Sequence, residues 1–489
     1  MPAENEKKIS TTGLYLVVLA IYLVIYASIS LRIGRHWDEV LDFDGSAFNT
    51  YTAGGRWLTG AFRYLTGAWE PPAVSDFVSG AVVSLLVTLQ CRGAGLKQTW
   101  REIAFVVLYM GCIQWASMLR YSIMVESVAI GMCCATAAAW LSFKPGWKSA
   151  VAAVLLLAVA IGAYQTLALY FGVAWLLLRL LKLRRGQGEY SMQPWWRMAC
   201  ISAGGIAVWY AVRCATLLSV PQEALDYVQN YQTGMTQWDL VLSCAPMTEK
   251  AMCIVHYFMV SVYNALGVGP STYWLFAASI LPLVGIIWQA LRGSAGWRRW
   301  EQCAIALVIW WLPFCLSLLL LSSQGLHAAL AAPLAFAGLW LIWLSGAKLE
   351  RRHVPALCLM AAAIIAAAAY NVYTQAVEEA GLHRNTIALI GEMKERGRAC
   401  ALEAGLPDAP VVVLTELKDK TSPFLGAYPI VMGTGCMDWY CTAYGIKGIH
   451  HGSEEERDAH REAYDVMPSW PQKGSVRMDQ GSVIIKASR

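Results

Sequence analysis

The sequence has few charged residues: Asp, Glu, Lys and Arg make up 15% of its 489 residues. A soluble protein of this length carries about 25% charged residues and divides into two or three domains. The sequence also lacks a CxxC pair, a histidine cluster, an internal repeat and a low-complexity linker. The net charge of +5 is too small to indicate a nucleic-acid partner. We therefore expect no soluble multidomain protein, no metal site, no cofactor and no nucleic acid.

Apolar residues are abundant instead, at 57% of the chain, and they gather in repeated blocks. Blocks of about 17–22 apolar residues have the length that crosses a bilayer as a helix. Backbone polar groups must be satisfied within lipid, so such blocks form helices. The first block, near residues 12–30, is too long for a cleavable signal peptide and lacks a clear cleavage site. The sequence therefore predicts a polytopic α-helical membrane protein with a retained first span.

Clusters of Lys and Arg between the blocks predict the orientation, because basic loops stay in the cytoplasm. The clusters are centred near residues 92–101, 144–148, 182–197, 292–299 and 348–352. Placing them inside predicts about eleven transmembrane helices, with the N-terminus in the cytoplasm and the C-terminus outside. The predicted spans lie near 12–31, 74–91, 102–119, 123–142, 149–164, 166–181, 199–219, 271–291, 302–322, 327–346 and 354–373.

One further apolar block, AMCIVHYFMVSVYNALG at 250–266, does not fit this orientation. Counting it as a crossing would place the basic cluster at 292–299 outside the cell. We therefore predict that it lies at the outer interface or re-enters the membrane, after the polar loop 220–249.

The composition changes after residue 373. A helical stretch at 375–405 precedes the strand-like PVVVLTE at 410–416 and the terminal GSVRMDQGSVIIK, which reads as two strands joined by a turn. We expect residues 1–373 to form the transmembrane domain, with outer loops 32–73 and 220–270. Residues 374–489 would form a small extracytoplasmic α/β domain.

The first outer loop contains HWDEVLDFDG, residues 36–45, with four carboxylates. Acidic residues just outside a span can simply hydrate the interface, and this alternative is as good as a functional one for Asp42. Trp37 and the flanking apolar residues press Asp38 and Glu39 towards the membrane. Partial desolvation there would raise a carboxyl pKa and make it a better general base.

The next segment, NTYTAGGRWLTGAFRYLTG, contains Arg56 and Arg63. Gly54 and Gly55 permit a tight turn beside Arg56. An arginine at headgroup depth beside an acidic pocket could bind a phosphate through two hydrogen bonds. It could equally extend towards the phosphates of ordinary lipids.

Other polar residues fall at predicted outer ends of spans, where ionisable groups are functional candidates. They are Arg120, Glu126, Tyr164, Gln165, Gln324 and His327. Arg120 and Glu126 could instead pair as a structural bridge, and a single histidine such as His327 is more often a packing residue. The whole pattern suits a reaction on a lipid-linked phosphate at the outer face, although other uses of these groups stay open.

The order of four motifs resembles the type-II Gtr family of bacterial O-antigen glucosyltransferases. An acidic pair follows the first span, GGRWL comes next, an AYQ turn closes the fifth span, and the chain ends in VMPSWPQKGSVRMDQGSVIIK. The resemblance implies a GT-C glycosyltransferase in the bacterial inner membrane. Such an enzyme takes a sugar, here glucose, from undecaprenyl phosphate on the periplasmic side. It passes the sugar to a hydroxyl of an acceptor glycan such as O-antigen in lipopolysaccharide, usually with inversion.

The resemblance also assigns roles to residues. The family's acidic pair falls on Asp38 and Glu39, with Asp38 as general base and Glu39 as an orienting group. Its GRxL arginine falls on Arg56. The chain departs from the family at Glu39, where Asp is common, and at Asp42, near which the family often has an arginine. Arg56, Arg63 and Arg120 therefore compete as ligands of the donor phosphate. The expected substrate pocket comprises Asp42, Glu126, Tyr164, Gln165, Gln324 and His327.

Two other classes stay open at this point. A transporter or flippase for lipid-linked sugars would also have many spans, but transporters usually show related halves, and none is detectable here. A non-catalytic glycan-binding subunit would rely on the C-terminal domain alone.

Overall fold

The computed structural model describes the chain except for residues 1–8, 32–46, 67–71, 97, 120, 122–123, 187–191, 227–245, 267–269, 294–295, 316–328, 346–352, 415–436, 438–440, 442–443 and 488–489. The chain divides into two compact units. We call the part up to Thr374 the helical unit and the part from Gln375 onward the C-terminal unit.

The described residues are mostly helical. The helices are α1 (Thr11–Ser30), α2 (Ala47–Ala53), α3 (Trp57–Thr66), α4 (Pro72–Gly93), α5 (Thr99–Gly111), α6 (Gln114–Leu119), α7 (Val125–Ser142), α8 (Trp147–Ala163), α9 (Leu167–Arg184), α10 (Gln193–Leu217), α11 (Met247–Leu266), α12 (Pro270–Gly293), α13 (Trp297–Trp311), α14 (Ala331–Leu344), α15 (Val354–Glu403), α16 (Glu454–Ala459) and α17 (Arg461–Val466). A 3-10 turn, Leu312–Phe314, follows α13.

Among the described residues, six helices are long and apolar enough to cross a membrane, namely α1, α4, α7, α10, α12 and α15. Two shorter apolar helices are α8 and α14. These helices make the chain a multi-pass membrane protein, as the sequence predicts. Three expectations stay predictions: the count of eleven spans, the orientation of the chain in the membrane, and the interfacial position of residues 250–266, which belong to α11.

The predicted span at 102–119 is interrupted. Helix α5 ends at Gly111, Cys112 is extended, and α6 begins at Gln114. The break leaves carbonyl groups outside the helical ladder, and buried carbonyls need donors. Tyr26 of α1 supplies one, because its hydroxyl donates to the carbonyl oxygens of Met110 at 2.9 Å and Cys112 at 3.2 Å.

Helix α7 holds the turn between α8 and α9 in place. Gly131 of α7 has no side chain, and a Cβ there would lie 2.5 Å from Leu167 Cδ1 and 2.9 Å from the Cβ of Ala163. Only glycine permits this close approach of α7 to the end of α8 and the start of α9. The same turn contains the AYQ motif.

The C-terminal unit contains a four-stranded sheet with strand order β2-β1-β4-β3. The strands are β1 (Val411–Leu414), β2 (Ile449–His451), β3 (Val476–Asp479) and β4 (Ser482–Lys486). Strand β1 is parallel to β2 and β4, and β3 and β4 form an antiparallel hairpin. The strands expected at PVVVLTE and GSVRMDQGSVIIK are therefore present. The extracytoplasmic placement of this unit stays a prediction.

Both faces of this sheet are covered. Val411 and Val413 lie in one apolar cluster with Ile390 of α15 and Trp470, whereas Val412 on the other face packs in a second cluster with α17. Burial on both faces explains why β1 is a continuous apolar run rather than an alternating one.

Candidate functional site

The GGR motif forms the turn between α2 and α3. The Arg56 amide donates to the Tyr51 carbonyl at 2.8 Å, and the Gly55 amide donates to the Thr52 carbonyl at 2.9 Å. Gly55 has a φ of +77°, in the left-handed region. These are the two hydrogen bonds and the left-handed residue of a Schellman helix end. Arg56 is therefore placed by the backbone geometry of a helix terminus.

The AYQ motif forms the turn that meets it. Helix α8 ends at Ala163, and Tyr164 is extended, so the chain changes direction before α9 begins. Gln165 then extends across to the GGR turn, where its Nε2 donates to the Gly54 carbonyl at 2.6 Å. Gly54 and Gln165 are 111 residues apart in the sequence, so this bond joins two distant motifs into one cluster.

Arg56 lies within this cluster with its charge unpaired by any carboxylate among the residues that the structure describes. Its guanidinium carbon lies 4.7 Å from the centroid of the Tyr164 ring. Its Nε donates to Gln165 Oε1 at 3.4 Å, and its Nη1 lies 3.8 Å from the sulfur of Met124. These neutral contacts orient the side chain and leave its positive charge available to an anion.

Arg63 has a different environment. Its Nη2 lies 3.3 Å from Glu126 Oε2, and the two side chains are 5% and 3% exposed. Glu126 is in the first turn of α7, where a helix favours negative charge. Arg63 is therefore a predicted phosphate ligand that already has an anionic partner. Glu126 is the predicted pocket residue that supplies it.

Helix α3 is fixed between these two arginines. Thr59 Oγ1 donates to the Ala163 carbonyl at 3.0 Å and lies 2.7 Å from Ser127 Oγ. The contacts attach α3 to the end of α8 and to the first turn of α7. Arg56 and Arg63 therefore have defined positions relative to the AYQ turn and Glu126.

Helix α10 contributes two residues that we did not single out from the sequence. The indole Nε1 of Trp209 donates to the Gly55 carbonyl at 2.9 Å. Arg213, one helical turn later, lies with its guanidinium carbon 5.8 Å from the Trp209 ring. The sequence did hold a signal for Arg213, because it is an ionisable residue within the predicted span 199–219.

The other predicted site residues lie outside the described residues. They are Asp38, Glu39, Asp42, Arg120, Gln324 and His327. The structure thus brings together Arg56, Tyr164 and Gln165, and separately Arg63 and Glu126. Within the part of the chain that the structure describes, no group of three or more His, Cys, Asp and Glu residues could hold a metal ion.

Comparison with known proteins gives a family match and similarity to a solved structure. A family model described as Glucosyl transferase GtrII matches residues 38–243. The crystal structure of ArnT from Cupriavidus metallidurans bound to undecaprenyl phosphate is similar over 96% of this chain and 93% of that chain, with 13% sequence identity and a TM-score of 0.44. No curated protein sequence matches the chain.

The family match covers residues 38–73 of the predicted first outer loop, both turns of the Arg56 cluster, Glu126, and Arg213 of α10. It includes every described residue that we predicted for the site. Residues 38–243 therefore match the GtrII glucosyl transferase family, which confirms the resemblance drawn from the sequence and supports a glycosyltransferase.

Proposed function

We propose that the chain is a membrane glycosyltransferase of the GT-C type that moves glucose from undecaprenyl phosphate to a hydroxyl of a surface glycan such as O-antigen. The reaction takes place on the periplasmic side of the bacterial inner membrane. The observation that carries the proposal is the position of Arg56, which is held by Tyr164 and Gln165 and has no carboxylate partner among the described residues. The family match over 38–243 supplies the reaction class.

The charge on Arg56 suits the leaving group. When the bond between the anomeric carbon and the phosphate oxygen breaks, the electron pair stays with the polyprenyl phosphate, which gains negative charge. A fixed cation beside that oxygen stabilises the transition state more than the ground state. Because its partners among the described residues are neutral, Arg56 can do this without rearrangement of an ion pair within that part of the chain.

Between the two predicted phosphate ligands that the structure describes, the geometry favours Arg56. Arg63 is buried beside Glu126. If Arg63 moved away to bind a phosphate, the Glu126 carboxylate would be left without a counter-charge in the low-dielectric interior. We therefore assign Arg63 and Glu126 to holding α3 against α7. Arg120 keeps its proposed role as an alternative ligand.

Two residues of the predicted first outer loop act on the acceptor. Asp38 takes the proton from the acceptor hydroxyl as its oxygen bonds to the anomeric carbon, and Glu39 orients the acceptor or Asp38. One bond forms and one breaks at that carbon, on opposite faces, so its configuration inverts. These roles rest on the acidic pair that the family resemblance places at Asp38 and Glu39.

The test is sugar transfer in membranes from cells that make undecaprenyl-phosphate-linked glucose. We expect R56Q to lower kcat/KM about 100-fold, because removal of one such donor to a developing oxyanion costs about that much. R292Q is the matched control. Arg292 also lies over an aromatic ring, 4.0 Å from that of Trp288, but belongs to a predicted cytoplasmic cluster. Its variant is expected to retain full transfer.

The same assay tests the base. D38N should abolish transfer while the protein still inserts into the membrane. Full transfer by either R56Q or D38N would contradict the role proposed for that residue. Movement of a lipid-linked sugar across liposomes by the purified protein, without any transfer, would replace the proposal with the flippase alternative.

A further inference from the structure

Arg213 of α10 is a second arginine at the turn that positions Arg56. A Cβ built on Gly55 would lie 3.0 Å from Trp209 Cζ2 and 3.4 Å from Arg213 Cδ. The side chain of Arg213 therefore runs beside Gly55, the residue that precedes Arg56. Trp209 fixes this arrangement through its hydrogen bond to the Gly55 carbonyl.

Arg213 has hydrogen-bonding capacity that the described residues do not use. Its Nε atom is buried and has no hydrogen-bond partner among the described residues. No carboxylate of the described residues forms an ion pair with it. A buried donor without an acceptor is unfavourable, and an unpaired positive charge beside it adds to that cost.

Three arginines of the helical unit form ion pairs with glutamates. The pairs are Arg63–Glu126, Arg92–Glu102 and Arg179–Glu301, at 3.3, 2.8 and 2.8 Å. Arg56 and Arg213 form no ion pair with a described carboxylate, and both lie beside Gly55. An anion that binds near this turn would be attracted by both charges.

We propose that Arg213 is a second phosphate-binding residue, which acts with Arg56 on the polyprenyl phosphate released by the reaction; this inference rests on the proposed function. The donor is a phosphodiester with one negative charge. The product is a phosphate monoester, whose charge is about −1.5 to −2 near neutral pH. One arginine matches the charge of the donor, and the second matches the charge that appears as the sugar leaves.

This division of charge predicts a specific kinetic effect. An interaction that strengthens only as the sugar departs raises kcat and leaves the KM for the donor nearly unchanged. R213Q should therefore lower kcat about tenfold or more and change the KM by less than about threefold. It should also weaken inhibition by undecaprenyl phosphate about tenfold, since that molecule carries the monoester.

The experiment uses the full-length protein in lipid nanodiscs. Binding of undecaprenyl phosphate and of undecaprenol, which lacks the phosphate, is measured for the wild type, R56Q, R213Q and R197Q. Arg197 is the matched control because it is an arginine of the same helix, and sixteen residues of helix place it about 24 Å away. We expect R213Q to lose most of the preference for the phosphate and R197Q to keep it.

The outcomes separate the two claims. A wild type that binds undecaprenol as well as undecaprenyl phosphate would overturn the proposed function and this inference with it. A wild type that prefers the phosphate, an R56Q variant that loses the preference and an R213Q variant that keeps it would overturn the role of Arg213 alone. If R213Q cannot be recovered folded, R213M decides the matter, since it keeps an aliphatic stem beside Gly55 and removes the charge.

Discussion

Arg56 and Arg63 are seven residues apart, yet their surroundings are opposite in character. Arg63 is buried against Glu126, and both side chains are almost completely removed from solvent. Arg56 lies against the ring of Tyr164 and the amide of Gln165, with no carboxylate near it among the described residues. The difference teaches how to assign arginines in a membrane protein. An arginine with a buried anionic partner holds helices together, whereas one held by neutral groups is ready for an anionic ligand.

Helix α3 makes this difference possible. Arg63 lies on α3 and Arg56 immediately before it, and seven residues at the helical rise place the two arginines about 10 Å apart along the axis. Arg56 contacts the AYQ turn, and Arg63 contacts the first turn of α7. Thr59 lies between them and attaches the helix to both α7 and α8.

The largest effect should come from breaking the buried pair. E126A leaves the Arg63 charge uncompensated in the interior, and removal of one partner of a buried ion pair costs about 3–5 kcal/mol. Thermal unfolding of the purified protein in detergent measures this loss. The double variant R63M/E126L removes both charges and should recover most of it. A single variant as stable as the wild type would remove the structural role from this pair.

A smaller effect is expected from changing the turn beside Arg56. G55A places a side chain at a φ of +77°, which costs about 1–2 kcal/mol, and against Trp209 at 3.0 Å. Since the turn sets the position of Arg56, we also expect transfer to fall about tenfold, as displacement of a positioned group by 1 Å can cost more than that.

Gly186 provides the control for the turn. It has a φ of +72° and nothing within 4 Å of a Cβ built on it. G186A should therefore show the backbone cost alone and retain transfer in the membrane assay. Equal transfer by G55A and G186A would show that contact with Trp209 does not position Arg56.

The smallest effect belongs to a half-exposed pair of side chains in the C-terminal unit. Glu456 of the C-terminal unit lies 3.0 Å from His450, with the side chains 39% and 41% exposed. It also completes a capping box with Ser453 at the start of α16. Exposed pairs contribute little, so E456Q should destabilise this helix by about 0.5 kcal/mol. Hydrogen exchange of residues 453–459 in the full chain measures the change, and an effect as large as that of E126A would contradict the comparison.

The dependence of this contribution on pH has a definite sign. Partial burial tends to raise the pKa of Glu456, but hydrogen bonds from the Ser453 amide and from His450 outweigh it and hold the pKa below 4.5. The folded chain therefore binds this proton more weakly than the unfolded chain. The contribution is complete above pH 4.5 and is lost as the pH falls through the folded pKa, so protection of residues 453–459 should decrease there.

The sequence was most informative where a short motif fixes local geometry. The paired glycines before Arg56 indicated a turn, and GSVRMDQGSVIIK indicated a hairpin. The structure has that hairpin, with a turn at Gln480 and Gly481 that both have positive φ. The sequence did not predict strand β2, because its three residues, Ile449–His451, are too few to show an apolar pattern. Its partner β1 lies far from it in the sequence.

The sequence was least informative about partners. Nothing along the chain indicated that Glu126 would pair with Arg63, or that Trp209 and Arg213 would lie beside Gly55, because tertiary packing of separate helices decides such contacts. The break at Cys112 was hidden for a related reason. No charged residue and no proline lies near it in the sequence, and the donor that permits the break is Tyr26 on another helix.

The hydrogen bonds to the two glycine carbonyls also constrain how this enzyme could be re-engineered. Gln165 donates a hydrogen bond to the Gly54 carbonyl, and Trp209 donates one to the Gly55 carbonyl. The GGR turn before α3 is therefore held by two segments that are distant in the sequence. A chimera that imports only one of these three pieces from a relative would leave a main-chain oxygen without its donor. To exchange substrate preference between such proteins, the GGR turn, the AYQ turn and the segment of α10 that contains Trp209 should therefore be transferred together.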